Sequence, residues 1–296
     1  MPGTLYLVAT PIGNLEDITL RALRVLGEVD LIACEDTRHT RKLLTHFEIS
    51  KPLISCHEHN EHERAAELIA RVEQGADIAL VSDAGMPLIS DPGFKIVSDA
   101  AARGIRIVPI PGPTAFVAAV AASGLPATEF VFAGFLPPKR GARRTRLEDF
   151  LLSTSTVVFY EAPHRIRQTL EDARIVLGDR PAALARELTK LHEEIIRGRL
   201  SEIATRVGEK EPRGEYVLVI GAAGPEQSVR ATPAVQPGSI LEAVGGLMET
   251  EGLDQKSALK QVARLRGISR RDAYNLMVAE SKDHAEERLG CPSESN

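Results

Sequence analysis

Acidic and basic side chains cluster in the segment Cys34–Thr40, which reads C-E-D-T-R-H-T directly after a short apolar run. A carboxylate or an imidazole at the end of a strand could accept a proton from a substrate hydroxyl. Carboxylates would also offset the dipole of a helix that begins here, which is the structural alternative. That alternative does not explain Arg38 and His39. We therefore favour a functional role, with Glu35, Asp36 and His39 as candidate bases.

A second cluster spans Ser82–Gly93 and reads S-D-A-G-M-P-L-I-S-D-P-G. Its glycines, prolines, serines and aspartates provide more special backbone positions than a single turn requires. Asp83 could accept hydrogen bonds from the ammonium group of an amino-acid-like ligand. Asp91 could act as a base, or it could simply begin the following helix.

Two further turns carry glycine directly after apolar runs, at Thr10–Leu15 (T-P-I-G-N-L) and Ile110–Ala115 (I-P-G-P-T-A). Glycine lets the backbone approach a ligand, and open α/β sheets bind ligands at the carboxyl ends of their strands. Neither turn has the G-x-G-x-x-G fingerprint, so a dinucleotide oxidoreductase is disfavoured. The histidine-rich run His57–Glu63 matches no standard metal motif, and we predict no metal site.

Short apolar runs alternate with amphipathic stretches in the first half of the chain, which is typical of a parallel α/β sheet covered by helices. The predicted strands there are Leu5–Ala9, Leu31–Cys34, Ile78–Val81 and Ile105–Pro109. The predicted helices lie near Leu20–Leu26, Thr40–Phe47, Glu61–Glu73 and Phe94–Arg103. A second set of strands, richer in antiparallel pairs, is predicted at Phe130–Ala133, Val157–Tyr160, Ala182–Arg186, Glu194–Arg197 and Tyr216–Ile220.

These elements predict two α/β domains, at residues 1–112 and 113–222. A linker follows at 223–237, since this stretch is rich in alanine, glycine, proline, glutamine and serine. Residues 238–283 are predicted to form a helical module that resembles a helix-turn-helix, with a simple helical hairpin as the alternative. Residues 284–296 are predicted to be a disordered tail.

The composition is that of an ordinary globular protein, with 43% hydrophobic and 26% charged residues and a net charge of -5. A nucleic-acid site must therefore be a local basic patch. Basic runs occur at Lys139–Arg146 and around Arg264–Arg271, although charge runs are often just solvated faces. Three cysteines without C-x-x-C spacing, no signal peptide and no spanning segment predict a cytoplasmic protein.

Seven motifs occur in one order between Thr4 and Gly221: T-P-I-G-N-L-E-D, C-E-D-T-R-H-T, H-E-H-N-E, S-D-A-G-M-P-L-I-S-D-P-G, I-P-G-P-T-A, F-Y-E-A-P-H-R and R-E-L-T-K. This set resembles the tetrapyrrole methylase superfamily, and within it the branch that modifies small-subunit ribosomal RNA. The resemblance implies a two-domain tetrapyrrole-methylase-like α/β fold, S-adenosylmethionine held in the cleft between the domains, and a homodimer.

The same resemblance implies transfer of a methyl group to the ribose 2′-oxygen of a cytidine in the decoding region of 16S rRNA, with the small ribosomal subunit as partner. It assigns the cofactor shell to Pro11, Asp83, Gly85, Met86, Thr114, Ala115, Tyr160, Arg186, Glu187, Gly214, Glu215 and Tyr216. We expect RNA contacts from Arg38, Lys139, Arg140, Arg143, Arg144, Arg146, Arg270 and Arg271.

Two alternatives stay open at this point. One is carbon methylation of a tetrapyrrole such as a porphyrinogen or a precorrin, which needs no basic loop. The other is a non-catalytic RNA-binding assembly factor. The sequence also leaves the general base open among Glu35, Asp36, His39 and Asp91.

Overall fold

The computed structural model describes residues 1–224, 239–266 and 270–289. The chain divides into two compact units, Met1–Pro225 and Glu226–Asn296. Nearly all of the predicted linker 223–237 and the end of the predicted tail, from residue 290 onward, lie outside the described residues.

The first sheet is parallel throughout and has five strands in the order β3-β2-β4-β1-β5. The strands are β1 (Thr4–Val8), β2 (Leu31–Cys34), β3 (Leu53–Ser55), β4 (Ile78–Val81) and β5 (Arg106–Ile110). Strand β3 was not predicted, because it is only three residues long and partly buried at the sheet edge. The helices between these strands are α1 (Leu20–Glu28), α2 (Thr37–His46), α3 (Glu61–Glu73) and α4 (Phe94–Ala102).

Helices cover both faces of this sheet, which is why its central strands are continuously apolar. All four residues of β4 are buried, and they alternate between two cores. Ile78 and Leu80 pack with residues of α3 and α4, whereas Ala79 and Val81 pack with residues of α1 and α2.

The second sheet has the order β6-β7-β10-β8-β9 and is mostly antiparallel, with only β6 and β7 parallel. Its strands are β6 (Phe130–Phe135), β7 (Thr156–Glu161), β8 (Pro181–Arg186), β9 (Glu194–Arg199) and β10 (Tyr216–Ile220). Helix α5 (Ala115–Ser123) packs on one face. The other face carries α6 (Arg140–Glu148), α7 (Ile166–Leu177) and α8 (Leu200–Gly208).

The second unit contains α9 (Ile240–Glu251), α10 (Gln255–Leu265) and α11 (Arg270–Leu289) in its described part. Its small core includes Val244, Leu259 and Met277. Helix α11 continues past the predicted module boundary at residue 283. Within the described ranges, no helix combines the length and apolar character needed to cross a bilayer.

A charge cluster with a buried centre fixes α6 against α7. Asp172 of α7 receives contacts from Arg140 at 3.1 Å, Arg143 at 2.8 Å and Arg144 at 2.7 Å. Arg143 is fully buried, so its predicted contact with RNA is wrong. The physical reason is that Asp172, far away in sequence, supplies the counter-charge that allows this arginine to enter the core.

We predict that Asp172→Asn destabilises the protein by about 3–5 kcal/mol, because it leaves buried Arg143 without a counter-charge. Burial alone would raise the pKa of Asp172, but hydrogen bonds from Arg144, Arg143 and Arg140 hold it below its ordinary value. The carboxylate therefore stabilises the fold above the pKa it has when unfolded, and this contribution is lost as the pH falls through its folded pKa. Urea unfolding across acidic and neutral pH measures both effects.

Asp149→Asn is the matched control, because Asp149 pairs with Arg146 at the surface at 3.0 Å with both side chains about half exposed. This change should cost at most about 1 kcal/mol. Equal losses for the two variants would contradict the assignment of Asp172 as a buried anchor.

Candidate functional site

The turns after β1 and β4 are joined backbone to backbone. The Thr10 N–H donates to the Gly85 carbonyl at 2.9 Å, and the Gly85 N–H donates to the Thr10 carbonyl at 3.0 Å. Gly85 has a φ of +81°, and a Cβ there would lie 3.5 Å from the Ile12 side chain and 3.6 Å from the Pro113 carbonyl oxygen. Three of the turns singled out in the sequence therefore meet at the carboxyl edge of the first sheet.

A cavity of about 460 Å³ is lined by these turns and by strands of the second sheet. This volume lies within the range of small-molecule sites. The sequence-predicted residues that line the cavity are Gly85, Met86, Asp91, Thr114, Ala115, Tyr160, Glu215 and Tyr216. Those that do not are Pro11, Glu35, Asp36, His39, Asp83, Arg186, Glu187 and Gly214.

One side of the cavity is acidic. Burial raises the pKa of Asp91 to about 6, and the neighbouring carboxylates of Glu35 and Asp83 add to the shift. Burial also raises the pKa of Glu35, again with a contribution from Asp83. These carboxylates raise one another's pKa because their negative charges repel. A cationic ligand group beside Asp91 would offset this repulsion and would therefore be stabilised here.

Asp83 and Asp36 connect this acidic side to the start of α2. The Asp36 N–H donates to Oδ1 of Asp83 at 3.2 Å. Asp36 caps α2 by accepting the Arg38 N–H at 2.8 Å, and it also pairs with the Arg38 guanidinium at 3.0 Å. These hydrogen bonds from Arg38 hold the pKa of Asp36 at about 2, which makes Asp36 a poor base. His39 is exposed on α2.

Aromatic rings form another wall. The pairing of β6 with β7 changes register between Phe132 and Phe135, at Gly134, which has a φ of +63°. The ring of Phe135 consequently lies 5.5 Å from that of Tyr160, and the Phe132 ring lies 4.9 Å from it. Phe135 is 56% exposed, so an aromatic face is open to solvent beside the cavity. Burial raises the pKa of the Tyr160 hydroxyl, with a contribution from the Asp91 charge.

Glu187 does not line the cavity itself but holds the backbone of a residue that does. Its Oε1 accepts the Lys190 ammonium at 2.9 Å and the Glu215 N–H at 3.0 Å. Glu187 and Thr189 both have positive φ, at 50° and 66°. A Cβ on Gly13 would lie 2.4 Å from the Lys190 side chain, so the turn after β1 packs tightly against this loop. The structure thus places Glu187 and Gly214 where they position the Glu215–Val217 wall.

Arg186 lies away from the cavity, at a second cavity of about 310 Å³ that Glu194 and Arg206 also line. Its guanidinium donates to the Arg213 carbonyl at 3.0 Å. Successive side chains of a β-strand point to opposite faces of the sheet. Because Ala185 lines the first cavity, the next residue of β8, Arg186, faces away from it.

Most of the residues predicted to contact RNA form ion pairs with carboxylates. Arg140 and Arg144 contact Asp172, and Arg146 pairs with Asp149. Lys139, at the start of that run, is exposed. Arg38 is exposed but is paired with Asp36. The side chains of Arg270 and Arg271 lie outside the described residues.

The histidine-rich run has a structural role in part. Oε1 of Glu61 accepts the N–H groups of Gly93 at 3.0 Å and Lys95 at 2.7 Å, and so caps α4 after the loop that carries Asp91. Among the residues that the structure describes, no three histidine, cysteine, aspartate or glutamate side chains are arranged to hold a metal ion.

Sequence reasoning missed several residues that line the cavity: Ile12, Ala84, Ile89, Ser90, Phe135, Glu161, Ala162, Pro163, Ala185, Leu188 and Val217. Most of them lie inside the seven motifs and could have been included as motif neighbours. Ala185 and Val217 could have been found from strand alternation. Phe135 had no signal, because the bulge at Gly134 decides which way its ring faces.

A family model described as Tetrapyrrole (Corrin/Porphyrin) Methylases matches residues 4–204, and the chain belongs to this family. It is similar to the ribosomal RNA small subunit methyltransferase I of Halalkalibacterium halodurans, with 47% identity over 93% of this chain and 94% of that protein. The protein of the same name from Pseudomonas aeruginosa is 54% identical over 76% of this chain and 81% of its own length.

Solved structures support the fold alone. A uroporphyrin-III C-methyltransferase from Thermus thermophilus aligns with a TM-score of 0.52 at 24% identity, over 74% of this chain and 94% of that chain. A diphthine synthase aligns with a TM-score of 0.56 at 16% identity, over 77% of this chain and 94% of that chain.

We predict that Gly214→Ala destabilises the protein by about 1–3 kcal/mol. Gly214 has a φ of +82°, and a Cβ there would lie 2.4 Å from the Glu187 carboxyl group. Gly141→Ala is the control, because Gly141 lies in α6 with nothing within 4 Å of its Cβ position. That change should be neutral or stabilising by up to about 1 kcal/mol. Equilibrium denaturation measures both, and an undiminished stability of Gly214→Ala would contradict this packing.

Proposed function

We propose that this protein is an S-adenosylmethionine-dependent methyltransferase that modifies small-subunit ribosomal RNA at the ribose 2′-oxygen of a cytidine. The observation that carries the proposal is the similarity, at 47% identity over 93% of this chain, to a protein named ribosomal RNA small subunit methyltransferase I. The cavity also supports the proposal, because one of its sides is acidic and its other walls are aromatic and aliphatic. The cytidine and its position in the decoding region rest on the motif resemblance. The proposed cytoplasmic location rests on the cysteine pattern of the sequence and on the ribosomal RNA in the names of the relatives.

The residues present fit this donor. A cavity of about 460 Å³ is large enough for a drug-sized ligand. Met86, Leu188 and Val217 offer apolar walls for an adenine ring. The carboxylates of Asp91, Asp83 and Glu35 are suited to a positively charged group, which is the property that sets a sulfonium donor apart from neutral ligands.

S-adenosylmethionine, when bound, supplies an electrophilic methyl group on a sulfonium sulfur. Transfer would form the bond from the ribose oxygen to the methyl carbon and break the carbon–sulfur bond, with S-adenosylhomocysteine as the leaving group. A residue of this chain would have to take up the hydroxyl proton. We assign this role to Asp91, because it is the one candidate base that lines the cavity. A pKa of about 6 leaves Asp91 mostly ionised at neutral pH while keeping it basic enough to accept a proton.

The other acidic candidates have different roles in this proposal. Asp36 caps α2, and Glu35 tunes Asp91 through its charge. The cavity walls would hold the donor in place, and holding two reacting groups in place contributes up to roughly 7–11 kcal/mol in favourable cases. Because the target oxygen belongs to ribose, an RNA nucleotide must enter with its sugar exposed.

We also propose that the protein is a homodimer. Strand β6 lies at the edge of its sheet, and apolar side chains there are open to solvent, with Phe130 at 38% and Val131 at 40% exposed. Val117 of α5 is 49% exposed. An uncovered apolar edge strand is suited to association with a second copy. Light scattering tests this, and a monomer at micromolar concentration would contradict it.

We predict that Asp91→Asn lowers kcat by about 10²–10⁴-fold, since it removes the base. The wild-type rate should fall as the pH drops below about 6, because protonated Asp91 cannot accept the proton. The same variant should be more stable than wild type at neutral pH, because it removes a carboxylate whose charged form is disfavoured by burial. Methyl transfer and thermal unfolding across pH measure these changes.

Glu35→Gln is the matched control for this assignment. Removing the Glu35 charge lowers the pKa of Asp91, so the rise in rate should shift to lower pH with little change in the plateau. If Asp91→Asn kept the wild-type profile, another group would be the base.

The function itself is tested by supplying donor with a labelled methyl group together with small-subunit rRNA or, separately, with uroporphyrinogen. We expect label in RNA only, at a ribose that resists alkaline cleavage of the adjacent phosphodiester. Label in the macrocycle would favour the tetrapyrrole alternative. RNA binding without any transfer would favour an assembly factor.

A further inference from the structure

Helix α2 presents a stripe of basic side chains to solvent. Arg38, Arg41, Lys42 and His46 are exposed, whereas Thr40, Leu43 and Leu44 are buried and fix the orientation of the helix. Arg41 follows Arg38 by three residues, and Arg38, Lys42 and His46 follow one another at intervals of four, so these positions lie along one face. No acidic residue occurs within Thr37–His46. We infer that this face binds the phosphodiester backbone of the substrate RNA next to the cavity.

Two cations of this stripe, Arg41 and Lys42, are available to a ligand, whereas Arg38 pairs with Asp36. Several other helices hold a surface cation in an ion pair within the same helix: Arg24 pairs with Glu28 in α1, Arg71 with Glu67 in α3, and Lys95 with Asp99 in α4. Within the described part of the chain, neither Arg41 nor Lys42 has a carboxylate at ion-pair distance. The basic run in α6 is less available to a ligand, because Asp172 contacts three of its arginines.

The location of α2 matches the needs of an RNA substrate. The hydrogen bond from Asp36 to Asp83 ties the start of the helix to the turn that lines the cavity. A ten-residue helix is about 15 Å long, so its cations lie within a few nucleotides of that edge. The carboxylates of Asp91, Glu35 and Asp83 repel phosphate from the cavity itself. A separate basic face beside them can hold the backbone while one sugar enters.

The exposed face of α2 contains no large apolar side chain, because both of its leucines are buried. A membrane-surface helix would need an apolar face to insert, so an anionic lipid surface is the poorer fit. This inference rests on the proposed RNA substrate, and it names the surface that holds it.

The test measures binding of a fluorescein-labelled RNA from the decoding region of small-subunit rRNA by anisotropy, without methyl donor, over a series of salt concentrations. For Arg41→Gln/Lys42→Gln we expect roughly tenfold weaker binding at physiological salt and a salt slope smaller by between one and two. Donor affinity, measured by calorimetry, should be unchanged. Arg41→Lys/Lys42→Arg should bind RNA as wild type does, because it keeps both charges.

Arg106→Gln/Arg174→Gln is the matched control, since it removes the same charge from exposed positions on β5 and α7. It should leave RNA affinity unchanged. The inference is overturned if Arg41→Gln/Lys42→Gln binds RNA as wild type does, or if the control weakens binding equally. Loss of binding to anionic vesicles without loss of RNA binding also overturns it.

These measurements separate the inference from the proposed function. If the α2 variant loses RNA affinity but the wild type transfers no methyl group, RNA binding by the basic face of α2 is supported and the proposed methyl transfer is contradicted. If the wild type methylates RNA and the α2 variant has unchanged RNA affinity, the activity stands and the surface fails.

Discussion

Close packing of the turns at the carboxyl edge of the first sheet, against one another and against the second sheet, is the constraint on which the rest of this structure depends. The paired hydrogen bonds between Thr10 and Gly85 fix one turn of the first sheet on another. Gly13 then lies against Lys190 in a loop of the second sheet, and Gly134 lies against Ser90. At each of these points a side chain would force the loops apart or meet a neighbour at contact distance. The cavity is the space that this docking encloses.

Negative charge lies beside the cavity and positive charge lies on helix α2, an arrangement that suits one cationic and one anionic substrate. Carboxylates gather beside Asp91, where burial and mutual repulsion raise its pKa. This arrangement costs stability without a ligand and is relieved by a cation, so it favours a positively charged donor. The cations of α2 stand outside the acidic zone, connected to it through the contact between Asp36 and Asp83. A polyanionic substrate can therefore be held without meeting the carboxylates directly.

Most of the fold could be predicted from the sequence, because buried parallel strands and turn glycines leave local signals. Strand β10 occurs where it was expected, and the glycine turns meet at one sheet edge. Two site predictions differ from the structure for different reasons, a contact between distant residues and the alternation of side chains along a strand. Arg143 belongs to a basic run, but Asp172 draws it into the core. Arg186 follows a residue that lines the cavity and therefore faces away. No local motif encodes the partner of Arg143, whereas the face of Arg186 could have been found from strand alternation.

The central claim is that the cavity holds the methyl donor with its sulfur beside Asp91. A crystal structure of the protein with S-adenosylmethionine tests this most directly. We expect the donor between Gly85 and Val217, with the methyl-bearing sulfur facing the Asp91 carboxylate and the aromatic wall around Tyr160. A donor bound outside this cavity, or one whose sulfur points away from Asp91, would contradict the account.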